Sequence, residues 1–372
     1  IVFGDWSSDV CSSDLESRMN ALGNPFGYVR DNTDIFSYPG VIHQYQRRVD
    51  AELGFSSMDW KLGANLPFMN SVLGMYLNGD TGITLTSTEL GNVNGFFTGD
   101  LDISKKVQFY YGFMDKFGVG FGMAIDSKIE PTAVNKKYYE MGASYFEISG
   151  GMSEDKMDLG AAISLWGAST SNDLDNNSDE AGYAGIELNA QGRYYIMQNE
   201  MFDLVGIGSL AVQSTSSEEK VSSAKNTVDT SSFGLDLGIG IDYKFDSNNH
   251  VIFGVKPFRL VSTGVEDKDS SGTDKSNQSW LFIPTYTIGL ESQIKPWLVG
   301  RIGATQDYVF YGSKVESSGS ETEDGNYDSN FNMDMGLGFK FGKFCIDTVL
   351  SKTLLHDGPN FKIGRASCRE RV

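Results

Sequence analysis

FGVGFGMAID, residues 117–126, alternates large apolar side chains with glycine, alanine and aspartate. Successive side chains of a β-strand point to opposite faces, so this spacing places the apolar set on one face and the small or polar set on the other. A helix would scatter both sets around its axis. The same alternation recurs in residues 186–196, 235–245 and 331–341. It predicts strands that lie between an apolar environment and water.

The segments between these four extend the prediction to fifteen strands. They are residues 46–56, 58–67, 71–79, 105–114, 116–127, 137–149, 156–169, 182–196, 201–214, 231–245, 249–263, 279–293, 297–313, 329–341 and 343–354. Most exceed the roughly 9 to 11 residues that a tilted strand needs to cross a bilayer. Only helices and closed sheets satisfy every backbone group in lipid. The predicted fold is therefore all-β: a transmembrane antiparallel up-and-down β-barrel of about 14–16 strands with an N-terminal plug segment.

The composition and the spacing of the connections favour the same class. The chain has 43 Gly, 24 Phe and 17 Tyr but only 8 Pro. Its mean hydropathy is −0.26, and it contains no apolar run of the roughly 18 or more residues that a membrane helix needs. From residue 150 onward, short and long connections alternate, as they do between the periplasmic and external ends of outer-membrane barrels. The short ones lie near 153–155, 198–200, 246–248, 294–296 and 342, and the long ones are 170–181, 215–230, 264–278 and 314–328.

Aromatic residues near both strand ends predict two interfacial girdles in the outer membrane of a Gram-negative cell. Those toward the long connections are Trp166, Trp280, Tyr311 and Phe331, and those toward the short turns are Tyr194, Tyr243, Trp297, Phe341 and Phe344. Membrane lipid and lipopolysaccharide are then the partners that surround the barrel. A soluble β-sandwich adhesin is the alternative, but it has no reason to sort its connections by length.

Both ends of the sequence look like translated sequencing-adapter DNA, with WSSDVCSSDL at residues 6–15 and KIGRASCRERV at residues 362–372. We interpret residues 1–15 and 362–372 as artefacts. We expect the authentic fragment to contain a plug segment (16–45) and a C-terminally truncated barrel (46–361). Bacterial barrels normally have an even number of strands, so we also expect one more strand beyond Phe361. Excluding the ends leaves Cys345 alone, with a structural role and no disulfide framework.

Residues 16–45 have no sustained period and are rich in turn formers. Their most recognisable residues are Arg18, Leu22, Gly23, Asp31, Asp34, Tyr38 and Pro39. This layout resembles the mature N-terminus of the FadL/OmpP1-like outer-membrane proteins and of the related PorV-type barrels, although residues 38–40 stand where the family usually has Asn-Pro-Ala. The resemblance implies that residues 16–45 fold into the barrel as a hatch. An ordinary periplasmic lead-in is the alternative.

Strand parity predicts a polar inner face of mixed charge, without strong ion selectivity. Its predicted lumen-facing residues are Glu187, Arg193, Asp236, Asp242, Asp334 and Lys340. Parity alone places Lys256 and Arg259 on opposite faces, which leaves the register of residues 251–263 open. The acidic run 173–180 faintly resembles a calcium loop, but it lacks the glycine and the closing glutamate, so a solvated loop is favoured.

The sequence gives little support for an enzyme or for a bound cofactor. Its three histidines, His43, His250 and His356, lie beside no recognisable nucleophile motif, and the net charge of −19 disfavours nucleic acid as a partner. The leading hypothesis is an outer-membrane channel for passive uptake of hydrophobic or other small molecules. The alternative is a non-transporting barrel that acts as a docking or protein-export partner, as PorV-type proteins do.

Overall fold

Fifteen long strands run up and down through one sheet in the computed structural model, and each pairs antiparallel with the next. They are β1 (Arg48–Leu53), β2 (Trp60–Phe68), β3 (Ser71–Asp80), β4 (Lys105–Phe113), β5 (Phe117–Pro131), β6 (Tyr138–Glu154), β7 (Met157–Asn172), β8 (Asp179–Gln198), β9 (Phe202–Val221), β10 (Ala224–Asp246), β11 (Asn249–Lys268), β12 (Thr273–Lys295), β13 (Leu298–Ser317), β14 (Ser320–Phe341) and β15 (Phe344–Ser351). Each matches one predicted strand, in the predicted order. The predicted all-β, up-and-down class is confirmed.

The structure describes residues 17–25, 27–53, 60–83, 85, 101–131, 138–172, 179–221, 224–246, 248–268, 272–317, 320–342, 344–351, 361–362 and 366–369. Before β1 lie two short α-helices, α1 (Ser17–Ala21) and α2 (Asp34–Ser37), and a 3-10 helix (Pro39–Tyr45). None of the helices in these ranges is long and apolar enough to cross a membrane.

The side chains of each strand alternate between an exposed outer face and a covered inner face. In β5, Val119, Phe121 and Ile125 are 45%, 40% and 63% exposed, whereas Gly118 and Gly120 are buried. The same alternation continues along β10, where leucine and isoleucine point outward. A continuous band of exposed apolar side chains is stable only against lipid. The chain therefore forms the wall of an outer-membrane β-barrel, with its apolar face toward the bilayer.

The fifteen long strands do not close the sheet by themselves. Within the described residues, β15 and β1 are joined through a four-residue strand, β17 (Ala366–Arg369), which pairs with residues 344–346 and with residues 48–51. A two-residue strand, β16 (Phe361–Lys362), also pairs with β15. Both short strands occupy the place at which the sequence predicts one more long strand. That strand, and the assignment of residues 362–372 to an artefact, stay predictions.

The short turns are confirmed, but most of the predicted long connections are wrong. Residues 215–230, 264–278 and 314–328 mainly continue the strands, so β9 still pairs with β10 at Val221 and β13 with β14 at Ser317. These stretches are rich in Ser, Thr, Asp and Glu and contain no proline, so nothing interrupts their pairing. In residues 321–332 both faces are exposed, which suits strands that continue beyond the lipid.

Two further expectations change once the register is known. An extra residue in β11, between the pairs Leu237–Phe258 and Ile239–Val255, forms a β-bulge that reverses parity. Lys256 and Arg259 therefore share a face, and their nitrogens lie 2.9 and 3.4 Å from the carboxylate of Asp236.

Trp166 also departs from its prediction. It is only 4% exposed and packs inside the wall, so it does not belong to the external girdle.

The two faces of β8 give a direct test of the lipid-facing assignment. Leu188 is outward and 47% exposed, while its neighbour Asn189 lies at the same depth on the inner face. We expect Leu188→Arg to lower the free energy of unfolding in lipid by about 2–4 kcal/mol, because the outer face offers the charge no water. Asn189→Arg should cost less than about 1 kcal/mol. Guanidinium titration of both variants in liposomes measures the difference, and equal costs would contradict the assignment.

Candidate functional site on the inner face of the wall

Residues 17–45, called the N-terminal segment below, pack against the inner face of the wall. Leu22 and Gly23 press on β12 and β13 at Gly289 and Gly303. A Cβ atom on Gly303 would overlap the backbone of both residues, and one on Gly23 would lie 2.7 Å from the amide nitrogen of Ala304. Gly23 also has a φ of +73°, which other residues rarely adopt. Glycine on both partners therefore allows backbone to approach backbone.

The same kind of contact recurs further along the segment. The ring of Tyr28 packs against Gly240 and Gly254, and its hydroxyl donates to the carbonyl oxygen of Val255 at 3.1 Å. Pro39 lies against Gly118, one of the alternating glycines of residues 117–126. The alternating glycines of the wall thus form the surface on which the segment rests.

Arg18 connects the start of the segment to β12 through Glu291. Its Nε and Nη2 atoms donate to the two carboxylate oxygens of Glu291 at 2.9 and 3.1 Å, and its Nη1 atom donates to Asp31 at 3.1 Å. All three side chains are buried. Burial opposes the charge of Arg18, but Glu291 and Asp31 outweigh it and hold the pKa of the guanidinium well above its ordinary value.

Glu291 is also the centre of a charged cluster within the wall. Arg301 of β13 donates to Glu291 and to Asp347 of β15. The ring nitrogens of His250 lie 2.6 Å from Asp242 and 3.2 Å from Glu291. The cluster joins five strands, β10 to β13 and β15, with carboxylates and bases at hydrogen-bond distance, which is the condition for burying charge inside a protein.

A second cluster forms around Arg193 of β8, whose side chain is fully buried. Its guanidinium lies 2.7 Å from Asp34 of the segment and 2.8 Å from Asp158 of β7. Its Nη1 atom donates to the carbonyl oxygens of Gly27 and Val29 at 3.0 and 3.1 Å. Burial raises the pKa of Asp34 above its ordinary value, although the nearby Arg193 lowers it. Arg193 therefore binds both a side chain and the backbone of the segment.

The residues predicted from the sequence separate into two groups. Those brought together at the segment contacts are Arg18, Leu22, Gly23, Asp31, Asp34, Tyr38, Pro39 and Arg193, whereas Asp242 joins the cluster around Glu291 through His250. The others lie elsewhere on the wall: Asp236 pairs with Lys256, Glu187 lies in the middle of β8, and Asp334 accepts from Asn332 at 2.6 Å. Lys340 is close to the short turn after β14.

Sequence reasoning missed two wall residues that bind the segment directly and one that supports them. Asp158 binds Arg30, Glu291 binds Arg18, and Arg301 donates to Glu291. Each is a charged residue at an inward-facing strand position near a short turn, and this pattern is visible in the sequence. Their partners could not be read from the sequence.

Cys345 is disulfide-bonded. The other two cysteines of the sequence, Cys11 and Cys368, both lie in the ends interpreted as artefacts, so a lone Cys345 in residues 16–361 stays a prediction.

Metal binding gains no candidate from the described ranges, where no group of three or more His, Cys, Asp or Glu side chains is arranged to hold an ion. The run that faintly resembles a calcium loop lies mostly outside these ranges, because residues 173–178 are not among those the structure describes.

No protein-family model and no curated protein matches the sequence. Similar solved structures include the ferric yersiniabactin uptake receptor FyuA from Yersinia pestis, at 10% identity over 82% of this chain, with a TM-score of 0.44. The chain spans only 46% of that receptor. The toluene transporter TodX from Pseudomonas putida is 10% identical over 94% of this chain and 95% of its own, with a TM-score of 0.37.

The outer-membrane protease OmpT from Escherichia coli is likewise 10% identical, over 79% of this chain and 96% of its own, with a TM-score of 0.27. Because all three TM-scores are below 0.5, none of these likenesses assigns a function.

Adding one methyl group to the glycine surface tests whether the segment rests on it. We expect Gly303→Ala to displace residues 17–29, because the new Cβ overlaps the backbone of Leu22 and Gly23. Amide hydrogen exchange in this region should accelerate roughly tenfold, the equivalent of about 1.4 kcal/mol of lost protection. Gly234→Ala is the matched control, since the nearest atom to its added Cβ is 3.8 Å away. Unchanged exchange in Gly303→Ala would contradict the contact.

Proposed function

We propose that the chain is an outer-membrane channel for passive uptake of hydrophobic or other small molecules, with the N-terminal segment as its plug. A barrel of about this strand number encloses more space than the eight-stranded barrels that side chains fill. In this proposal membrane lipid and lipopolysaccharide surround the barrel, and a small hydrophobic ligand crosses the outer membrane through it. Catalysis, a cofactor and nucleic acid have no part in it.

The observation that carries the proposal is the seat of the segment on the inner face. Two of its side chains, Arg18 and Asp34, bind opposite charges on β12 and β8, and its backbone lies on glycines of several strands. Irregular backbone is stable at membrane depth only where protein or lumen water covers it. A periplasmic lead-in would need none of these contacts.

Charged contacts suit a plug that has to move. Removing one partner of a buried ion pair is costly because the other charge is left without compensation. If the segment shifts into water, however, Arg18 and Glu291 both become hydrated, and hydration replaces the lost attraction. An apolar seat would offer no such replacement and would hold the segment more permanently. These contacts therefore support a closed state whose free energy of opening is small enough for thermal motion or an arriving ligand to supply.

A disulfide between the segment and the wall tests this function within one molecule. A Cβ on Gly289 lies 3.4 Å from the Cβ of Leu22, close to the separation found in disulfides, and 2.9 Å from the carbonyl oxygen of Leu22, which has to shift slightly to accept it. We expect the double variant Leu22→Cys, Gly289→Cys to lose most of its solute flux when oxidised and to regain it on reduction. Liposome swelling in isosmotic solutions of small uncharged solutes measures the flux.

The single variant Leu22→Cys is the control, and its flux should not respond to oxidation. Equal flux in the oxidised and reduced double variant would remove the plug from the proposal. A wild-type protein that passes no solute, and that copurifies with an exported protein, would instead support the docking role.

A further inference from the structure

A patch of apolar side chains lines the inner face of β5–β7, on the side of the N-terminal segment toward the long strand extensions. We call it the apolar patch, and it consists of Ala124, Met141, Ala143, Tyr145, Trp166 and Ala168. Strand pairing arranges it in rows, since Tyr145 pairs with both Ala124 and Trp166, and Ala143 pairs with Ala168. Other apolar side chains of the inner face, such as Tyr76 and Ile252, are covered by the N-terminal segment. The apolar patch differs from them because no described residue of the segment packs in its cluster.

Four side chains from the connection between β3 and β4 cover the apolar patch. They are Ile83, Leu85, Leu101 and Ile103, all at most 7% exposed. An apolar surface inside a water-filled barrel is unfavourable unless apolar groups cover it. The chain thus places its own aliphatic side chains where a passing apolar molecule would gain the most from binding.

Two polar atoms in this sector have no hydrogen-bond partner among the described residues. They are Nε1 of Trp166 and Oγ1 of Thr170, and each residue is only 4% exposed. The indole of Trp166 lies over Gly185, its paired residue on β8. An indole nitrogen can only donate a hydrogen bond, and leaving it unpaired when buried costs free energy. The unpaired donor therefore favours a ligand that brings an acceptor.

The charges bordering the patch select against anions. Glu147, Ser164 and Glu187 form the next row toward the short turns, and Lys106 lies 2.6 Å from Glu147. The lysine is paired, so Glu187 leaves this row with a net negative charge. A ligand carboxylate placed here would meet repulsion, while a neutral molecule would not.

We propose that the apolar patch is a binding site for an uncharged molecule with an apolar body and one hydrogen-bond acceptor. The ligand takes the place of the four covering side chains and accepts from Nε1 of Trp166. The inference rests on the proposed uptake function and names its substrate class: neutral carbonyl compounds, ethers or alcohols with an apolar body, and not carboxylates.

Three naphthalene derivatives of similar shape test the proposal on the full chain in lipid nanodiscs. They are 2-acetylnaphthalene, which is neutral with an acceptor, 2-ethylnaphthalene, which has no acceptor, and 2-naphthoate, which is an anion. Their fluorescence polarisation, corrected with protein-free nanodiscs, gives the affinities. We expect 2-acetylnaphthalene to bind roughly tenfold more tightly than 2-naphthoate, given one repelled charge in a partly buried site.

Trp166→Phe keeps the apolar surface and removes the donor. It should weaken 2-acetylnaphthalene about fivefold, the equivalent of one net hydrogen bond, and leave 2-ethylnaphthalene unchanged. Trp297→Phe is the matched control, since Trp297 is 48% exposed beside a short turn, and it should change neither affinity. Glu147→Gln should strengthen 2-naphthoate, because it removes one acid and frees Lys106.

Equal binding of the ketone and the carboxylate, or an equal loss of both neutral probes in Trp166→Phe, would overturn the site. Liposome swelling of the wild type separates this from the wider proposal. Flux without selective binding would support the uptake function and rule out the site. Selective binding without flux would support the site and rule out the uptake function.

Discussion

Each strand has to satisfy two surroundings at once, and the rest of the structure depends on this constraint. Backbone groups in lipid cannot bond to water, so every strand must pair with its neighbours along the membrane-spanning length. Its side chains must then alternate, with leucine and isoleucine toward lipid and glycine or polar residues inward. In β5 and β10 this alternation is nearly unbroken. This alternation determines the sheet, and the turns contribute little to it.

The inward glycines have a second consequence, because they leave space where backbone can approach backbone. The N-terminal segment uses that space at Gly118, Gly240 and Gly303. Such an irregular segment carries polar groups, and Glu291 and Arg193 supply their partners. The alternation thus places glycines inward, the glycines make room for the segment, and the buried charges bind the polar groups of the segment. The apolar patch on β5–β7 differs from the other apolar residues of the inner face because the connection between β3 and β4, and not the segment, covers it.

The sequence predicted all fifteen strands because a period of two is a local signal that survives without knowledge of the fold. It failed where structure depends on partners. The bulge beside Phe258 put Lys256 and Arg259 on one face, and continued pairing turned predicted loops such as 314–328 into strands. Arg193 was predicted to face inward, but its bond to Asp34 joins residues that are far apart in the chain. Trp166 followed its parity inward rather than the aromatic preference for interfaces.

Spin labels placed one at a time at residues 235–241 of β10, in liposomes, test the central claim most directly. Relaxation by oxygen reports lipid exposure, and relaxation by a water-soluble nickel complex reports exposure to water. We predict that oxygen accessibility alternates with a period of two and is highest at Leu237, Ile239 and Ile241, the outward positions. A label at Leu22 should respond weakly to both reagents, because Leu22 is buried against the wall. Uniform accessibility to the nickel complex along β10 would contradict a membrane-spanning wall.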